Sequence, residues 1–365
     1  MKKQAWLKGA AASTAALLIL APVATRADVT VETLSHVEEV TGLANHDSDT
    51  TDYFQGTKKR EDNLRKFTGS VLGAWQKLKG ENNGSMDIDV YLIDSNKHIN
   101  MDPQKKVYSE ESIYDPNQAN KVPPRGGTTQ PQQQQQQQDQ NIKVTKNEFT
   151  VKDTGQSKNI NGFDTHEYLI TWDYETLNTK TNETSKNLMT TDTWTSTDSK
   201  LPKAREQEMA YEKAYMQLMH MPEPTDAEIS TYGLSNGHVE VNGQDMTSAV
   251  AKLKTIKGLP VSTDIRWEVG GTDSKGNSTT GGNNNQAQQQ QAQQNLDSAL
   301  GSIFGHKPDS SSQSQTQTQS QTQTQSQGTP GMMKIFSSHF EVKSIDLGAV
   351  DASEFQAPSD YKLDN

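Results

Sequence analysis

Hydrophobic positions along this chain recur at two spacings, and the changes of spacing mark its elements. Val29 to Val37 alternates apolar and polar residues, which predicts a strand. Met86, Ile88, Val90 and Leu92 alternate with Asp87, Asp89 and Tyr91, predicting a strand with one buried and one wetter face. HINMD and KVYSE, around His98 and Val107, predict two more, and NEFTVK and NLMTTDTWTS continue the series. In LPVSTDIRWEV, Val261, Thr263, Ile265, Trp267 and Val269 fall on one face and Asp264, Arg266 and Glu268 on the other; FSSHFEVKSIDLG supplies the last strand.

Three segments change to the helical period. Arg60 to Gly80 carries Leu64, Phe67, Val71, Trp75 and Leu78 at three-and-four spacing, which predicts one amphipathic helix with this stripe as its buried side. AREQEMAYEKAYMQLMHM places Tyr211, Ala214, Tyr215, Leu218 and Met219 on a shared face and stops at Pro222. A third helix is expected from about Asp245 to Lys257, with Asp245 as its cap, Met246, Val250 and Leu253 on one side and Gly258 beyond its end.

Between these segments the pattern disappears. PPRGGTTQPQQQQQQQDQ holds no apolar residue, and neither do most positions from about 270 to 331, apart from NLDSALGSIFGHK, which has short helical spacing. Such tracts bury too little surface to offset their ordering entropy, so disordered insertions are expected at about 120–141 and 270–331. They interrupt a series of strands, and a sheet tolerates long loops because closure entropy grows slowly with length. The expectation is one mainly β, α+β domain over residues 28–365: a curved antiparallel sheet or half-barrel with helices on its concave side.

The amino terminus, MKKQAWLKGAAASTAALLILAPVATRADVT, has Lys2, Lys3 and Lys8 ahead of a short apolar run and small residues before Asp28. That is the pattern of a secretory signal over residues 1–27, with cleavage after Ala27 and a periplasmic or extracellular destination. No later segment has the apolar length of a membrane helix, so the mature chain is expected not to be an integral membrane protein. Cysteine is absent, which excludes disulfides, thiol catalysis and lipidation of cysteine. Removing the basic residues of the signal takes the net charge from -11 to -15, since Lys2, Lys3, Lys8 and Arg26 leave with no acidic residue. A chain that acidic is repelled overall by phosphate backbones and anionic lipid head groups, so nucleic acid is not expected as a partner.

Candidate chemistry is sparse. KNINGFDTHEYLITWDYE brings Asp164, His166 and Glu167 together in sequence, but Asn161-Gly162 is the preferred turn of a hairpin and a strand should leave it. Alternation then puts Asp164, His166, Tyr168, Ile170, Trp172 and Tyr174 on one face, with Glu167, Leu169, Thr171 and Asp173 on the other, so the three polar groups do not converge. NHDSDTTD opens like a calcium loop at Asp47 and Asp49, then departs from it at Asp52 and Lys58, and reads as a solvated acidic loop. None of the eight histidines has a zinc spacing, and no nucleophile elbow, P-loop or dinucleotide fingerprint occurs. No cofactor or metal is called for, and a non-catalytic role is expected over a metal-dependent enzyme.

What remains is an aromatic and methionine inventory: Trp75, Tyr168, Trp172, Tyr174, Trp194, Tyr211, Tyr215, Met216, Met219 and Trp267. Such residues build either a packed core or a deformable apolar cavity. On the cavity reading, Tyr168, Ile170, Trp172, Trp194, Tyr211, Tyr215, Met219 and Trp267 line the concave face and meet an apolar or lipid ligand. On the other reading the core is closed and the glutamine-rich tracts make adhesive contacts with an envelope protein partner.

Several segments resemble a bacterial envelope family, the domain of unknown function 4412. DTGQSKNINGFDTHEYLI is similar to its turn, hairpin and strand; DTWTSTDSKLP and YEKAYMQLM to its tryptophan strand and helix; DASEFQAPSDYK to its phenylalanine-proline-tyrosine close; and DVYLIDSNKHINMDPQKKVYSE to its paired strands. That family looks similar in architecture to the LolA-like periplasmic lipoprotein carriers, whose open half-barrel and helical lid hold acyl chains. The resemblance implies an exported, non-catalytic, lipid-handling protein, and it supplies no catalytic residue.

Overall fold

The computed structural model describes residues 28–116, 141–221, 247–273, 278 and 331–364. The segment read as a signal, the first insertion, almost all of the second, Asp245, Met246 and Pro222 therefore lie outside the described residues.

Twelve strands form one open sheet: β1 (Val29–Glu39), β2 (His46–Gln55), β3 (Lys58–Phe67), β4 (Ser85–Leu92), β5 (Lys97–Asp102), β6 (Val107–Ser112), β7 (Ile142–Ile160), β8 (Phe163–Asn178), β9 (Glu183–Ser196), β10 (Leu259–Thr272), β11 (Met332–Asp346) and β12 (Lys362–Leu363). Their order across the sheet is β12-β6-β5-β4-β3-β2-β1-β11-β10-β9-β8-β7. Pairing is antiparallel except between β12 and β6. The fold is mainly β. Strands β10 and β11 flank the second insertion and pair with each other, so that insertion is a long excursion from one hairpin. β10 runs on to Thr272, slightly beyond the expected onset of the insertion near 270.

Two expected elements turn out otherwise. The single helix expected over Arg60 to Gly80 is strand β3 followed by helix α1 (Ser70–Leu78). The acidic stretch 45–52, expected as a solvated loop, is the beginning of β2. Neither strand has an apolar alternation to reveal it, because charge pairs take the place of apolar contacts. Lys59 reaches Asp52 at 3.0 Å and Glu61 at 2.9 Å, the Arg60 guanidinium grips Asp62 through two nitrogens, and His36 holds Asp47. Of these pairs His36–Asp47 is directly cross-strand and Lys59–Asp52 diagonal, while Lys59–Glu61 and Arg60–Asp62 join neighbours on one face of β3; opposite charges so placed take the part of apolar contacts in a sheet.

The expected hairpin forms as read. Asn161 and Gly162 have φ of 51° and 91°, the left-handed pair that a two-residue turn demands. Its tip bends back across the sheet, for the Asn161 side chain donates to Glu341 Oε1 at 2.7 Å and to the Val342 carbonyl at 3.0 Å. Strands β9 and β10 lie between these partners, so the sheet curls sharply here. The register shift between Asp153 and Ser157 on β7 supplies the bend, as bulges do.

Helix α2 (Lys200–Leu218) and helix α3 (Thr247–Leu253) complete the described elements, together with short 3-10 turns at Ile93–Ser95 and Ala352–Phe355. Cross-strand register assigns Phe54, Lys59, Tyr91, Tyr168 and Thr195 to one face of the sheet. α2 packs on that face through Tyr211 against Phe54, and the Lys257 amide and carbonyl after α3 meet the Tyr168 and Thr195 hydroxyls. This is the helical face of the sheet. The opposite face of β4 and β5 is covered by the chain after β11, where Val350 and Phe355 join Ile88, Val90, Ile99 and Met101 in a buried cluster.

Candidate functional site

Each strand in the curled half of the sheet contributes one apolar side chain to a single row. By register Phe149 of β7 faces Trp172 of β8, Trp172 faces Met189 of β9, Met189 faces Trp267 of β10, and Trp267 faces Phe336 of β11. All five lie on the helical face, and with strands about 4.8 Å apart the row extends roughly 19 Å. The next row, Val151, Ile170, Thr191 and Ile265, continues the surface, and its last three members are buried.

The row is not sealed by the described helices. Trp267 is 42% exposed, and Phe149, Trp172, Met189 and Phe336 are half-buried. Trp172 is held in orientation by its indole nitrogen, which donates to Asn147 Oδ1 at 2.9 Å, and by Tyr174, whose ring is 5.8 Å away. Aromatic rings fixed in this way offer a large contact area without rotamer loss on binding.

The sequence-derived lining residues separate into three groups. Tyr168, Ile170, Trp172 and Trp267 share the helical face of the curled half, with Tyr168 and Ile170 buried. Tyr211 and Tyr215 belong instead to a cluster on α2 with Phe54 and Ile93, and Met219 caps that helix, half-buried. Trp194 is out of phase with this row, level with Glu167 and Ser262, and belongs to a separate buried cluster that includes Ile160, Phe163, Val261 and, from α2, Leu201 and Ala204, with the Lys158 ammonium 3.8 Å from its ring centroid. Phe149, Met189 and Phe336 were absent from the sequence-derived list. Their strands were legible, but only the pairing register shows that they fall in one row.

Beyond β1 the same face changes character. Asp52, Lys59, Glu61, Asp89 and His98 all lie on it beneath or beside α2. Burial pushes the Asp52 carboxyl up to about 6 despite the adjacent Lys59. Burial works against the Lys59 charge as well, but Asp52 and Glu61 together hold its pKa above the ordinary lysine value. Asn63 Oδ1 and Arg65 Nε, also on this face, are buried and make no hydrogen bond. The helical face is thus apolar over β7 to β11 and ionic over β2 to β5. A separate cleft of about 570 Å³ opens between α2 and the β9 to β10 region, lined by Ser196, Pro202, Arg205, Met209 and Leu259.

Among the described residues, no group of three or more His, Asp or Glu side chains is arranged to hold a metal ion. Nor is any described helix long and apolar enough to cross a membrane.

No family model matches the chain, so the likeness to domain of unknown function 4412 stands on the quoted motifs. No curated protein matches it either. Among solved structures, a DUF1329 family protein from Desulfovibrio piger ATCC 29098 is 10% identical over 46% of this chain and 79% of that one, with a TM-score of 0.16. A likeness so slight supports neither a fold nor a function.

Proposed function

We propose that this is an exported, non-catalytic protein that holds an apolar ligand, such as a lipid or acyl chain, against the helical face of its sheet. On this reading the helical face is the concave side of a half-barrel, in the manner of the LolA-like carriers that the sequence resembles. The observation that supports the proposal is the row Phe149, Trp172, Met189, Trp267 and Phe336, which the described residues leave partly exposed. A soluble chain rarely leaves contiguous apolar rows open to water unless something binds there. Two tryptophans, a methionine and two phenylalanines offer the rigid and the adaptable contacts that a flexible apolar chain needs.

A fluorescent fatty-acid probe tests the reading. Saturable binding with about one probe per chain, lost in the Trp172→Ala, Trp267→Ala double variant, is the expected result. A signal that rises without saturation, or that the double variant leaves unchanged, counts against a site on this row.

A further inference from the structure

Helix α1 is built inside out. Its sheet side is small and polar. A Cβ added at Gly73 would stand 2.8 Å from the Phe67 carbonyl, so only glycine lets the helix approach this closely. Gln76, buried, accepts from the Phe67 amide at 2.9 Å and donates to the Arg65 carbonyl at 3.0 Å and to Ser85 Oγ at 3.3 Å. With that side fixed, the apolar side turns outward. Val71, Trp75 and Leu78, spaced four and three apart on one face, are 56%, 52% and 87% exposed.

Charge around this stripe is segregated from the rest of the chain. Asn63 to Gly80 contains Arg65, Lys66, Lys77 and Lys79 and no acidic residue, in a protein of net charge -11. Lys79 places its ammonium 3.7 Å from the centroid of the Trp75 ring. An interfacial tryptophan, a fully presented leucine and flanking lysines are the chemistry of a helix lying at a bilayer surface. The ring sits at headgroup level, the aliphatic side chains enter the acyl region and the ammonium groups meet lipid phosphates.

We propose that α1 is a docking element for the surface of an anionic lipid bilayer. The segregated positive charge selects that occupant over a neutral apolar groove on another protein. With one short helix and few basic residues the binding is weak, reversible and sensitive to salt. The inference is independent of the aromatic row, which lies on β7 to β11, while α1 packs at the end of β3.

Flotation of the full mature chain with vesicles tests it. With vesicles of phosphatidylglycerol and phosphatidylcholine in equal parts, the protein should float at low salt, and raising the salt should release it. It should not float with phosphatidylcholine alone. Trp75→Glu with Leu78→Glu should abolish flotation, and Lys77→Glu with Lys79→Glu should weaken it at least about tenfold, since each basic residue near such a surface contributes roughly fivefold and two are lost. These side chains are exposed, so circular dichroism should stay unchanged in both variants. The Trp172→Ala, Trp267→Ala protein should float like wild type. The proposal falls if the wild-type chain does not float, if the α1 variants float equally well, or if the aromatic-row variant is the one that loses flotation.

Discussion

Trp172 and Trp267 stand in one row of the sheet with Met189 between them, about 10 Å apart on alternate strands. Neither closes a core, because Trp267 is 42% exposed and Trp172 half-buried. Single Trp267→Ala should therefore change stability by less than about 1 kcal/mol in urea unfolding. The same substitution should weaken binding of an apolar probe about tenfold, the size expected for losing one well-placed aromatic contact. Tyr168→Ala offers the contrast. Tyr168 is buried on β8, four residues before Trp172, and its loss should cost about 3–5 kcal/mol as a cavity does.

Gln76 fastens α1 to the ends of β3 and β4 through three hydrogen bonds. Gln76→Leu fits the space but leaves the Phe67 amide and the Arg65 carbonyl without these partners. A loss of about 2–3 kcal/mol is expected, from the desolvation of groups left unpaired. Hydrogen exchange should show faster opening of residues 65–79 with little change in β7 to β11, where the chain is held by other contacts.

Asp192 supplies a pH test. Burial, and after it the nearby Glu167, push its carboxyl up to about 6 in the folded protein. Its Oδ1 has no hydrogen-bond partner. A carboxyl whose folded pKa lies above its ordinary value binds its proton more tightly when folded, so it contributes stability at low pH that is lost as pH rises from about 4 through 6. Asp192→Asn should remove that loss. The variant should be more stable than wild type by about 1–2 kcal/mol at pH 8, with the difference shrinking on acidification to pH 4. Denaturant melts at the two pH values measure this, and an advantage at pH 4 that exceeds the one at pH 8 would contradict it.

Much of the sheet was legible because its central strands alternate cleanly. In β4, Ile88 and Val90 point into a buried cluster while Asp89 and Tyr91 point the other way, and β8 places Tyr168, Ile170 and Trp172 on one face as alternation requires. β3 was not legible. Lys59, Glu61, Asn63 and Arg65 occupy one face and Arg60, Asp62 and Leu64 the other, so neither face is apolar and no period of two appears. The three-and-four spacing from Leu64 through Leu78 runs across a strand and a helix, β3 and α1, that touch through Gly73 and Gln76 and not through those apolar residues. It also assigned the wrong side of α1 to the core, since Gln76 rather than Trp75 faces the sheet. The site was half legible. Alternation within single strands supplied Trp172 and Trp267, but a row is a property of pairing, and no local pattern tells which residue of β9 stands between them. For the same reason Trp194, one position removed in phase from Thr193, was grouped with residues that it does not face.

The central claim is that the open aromatic row holds an apolar ligand. Native mass spectrometry of the mature protein, purified without detergent from the cells that make it, addresses this most directly. The account predicts a second species heavier by the mass of one lipid or acyl-chain molecule, released on collisional activation and absent from the Trp172→Ala, Trp267→Ala protein. A wild-type spectrum containing only the bare chain, from protein that also fails to retain an added fatty acid, would contradict it.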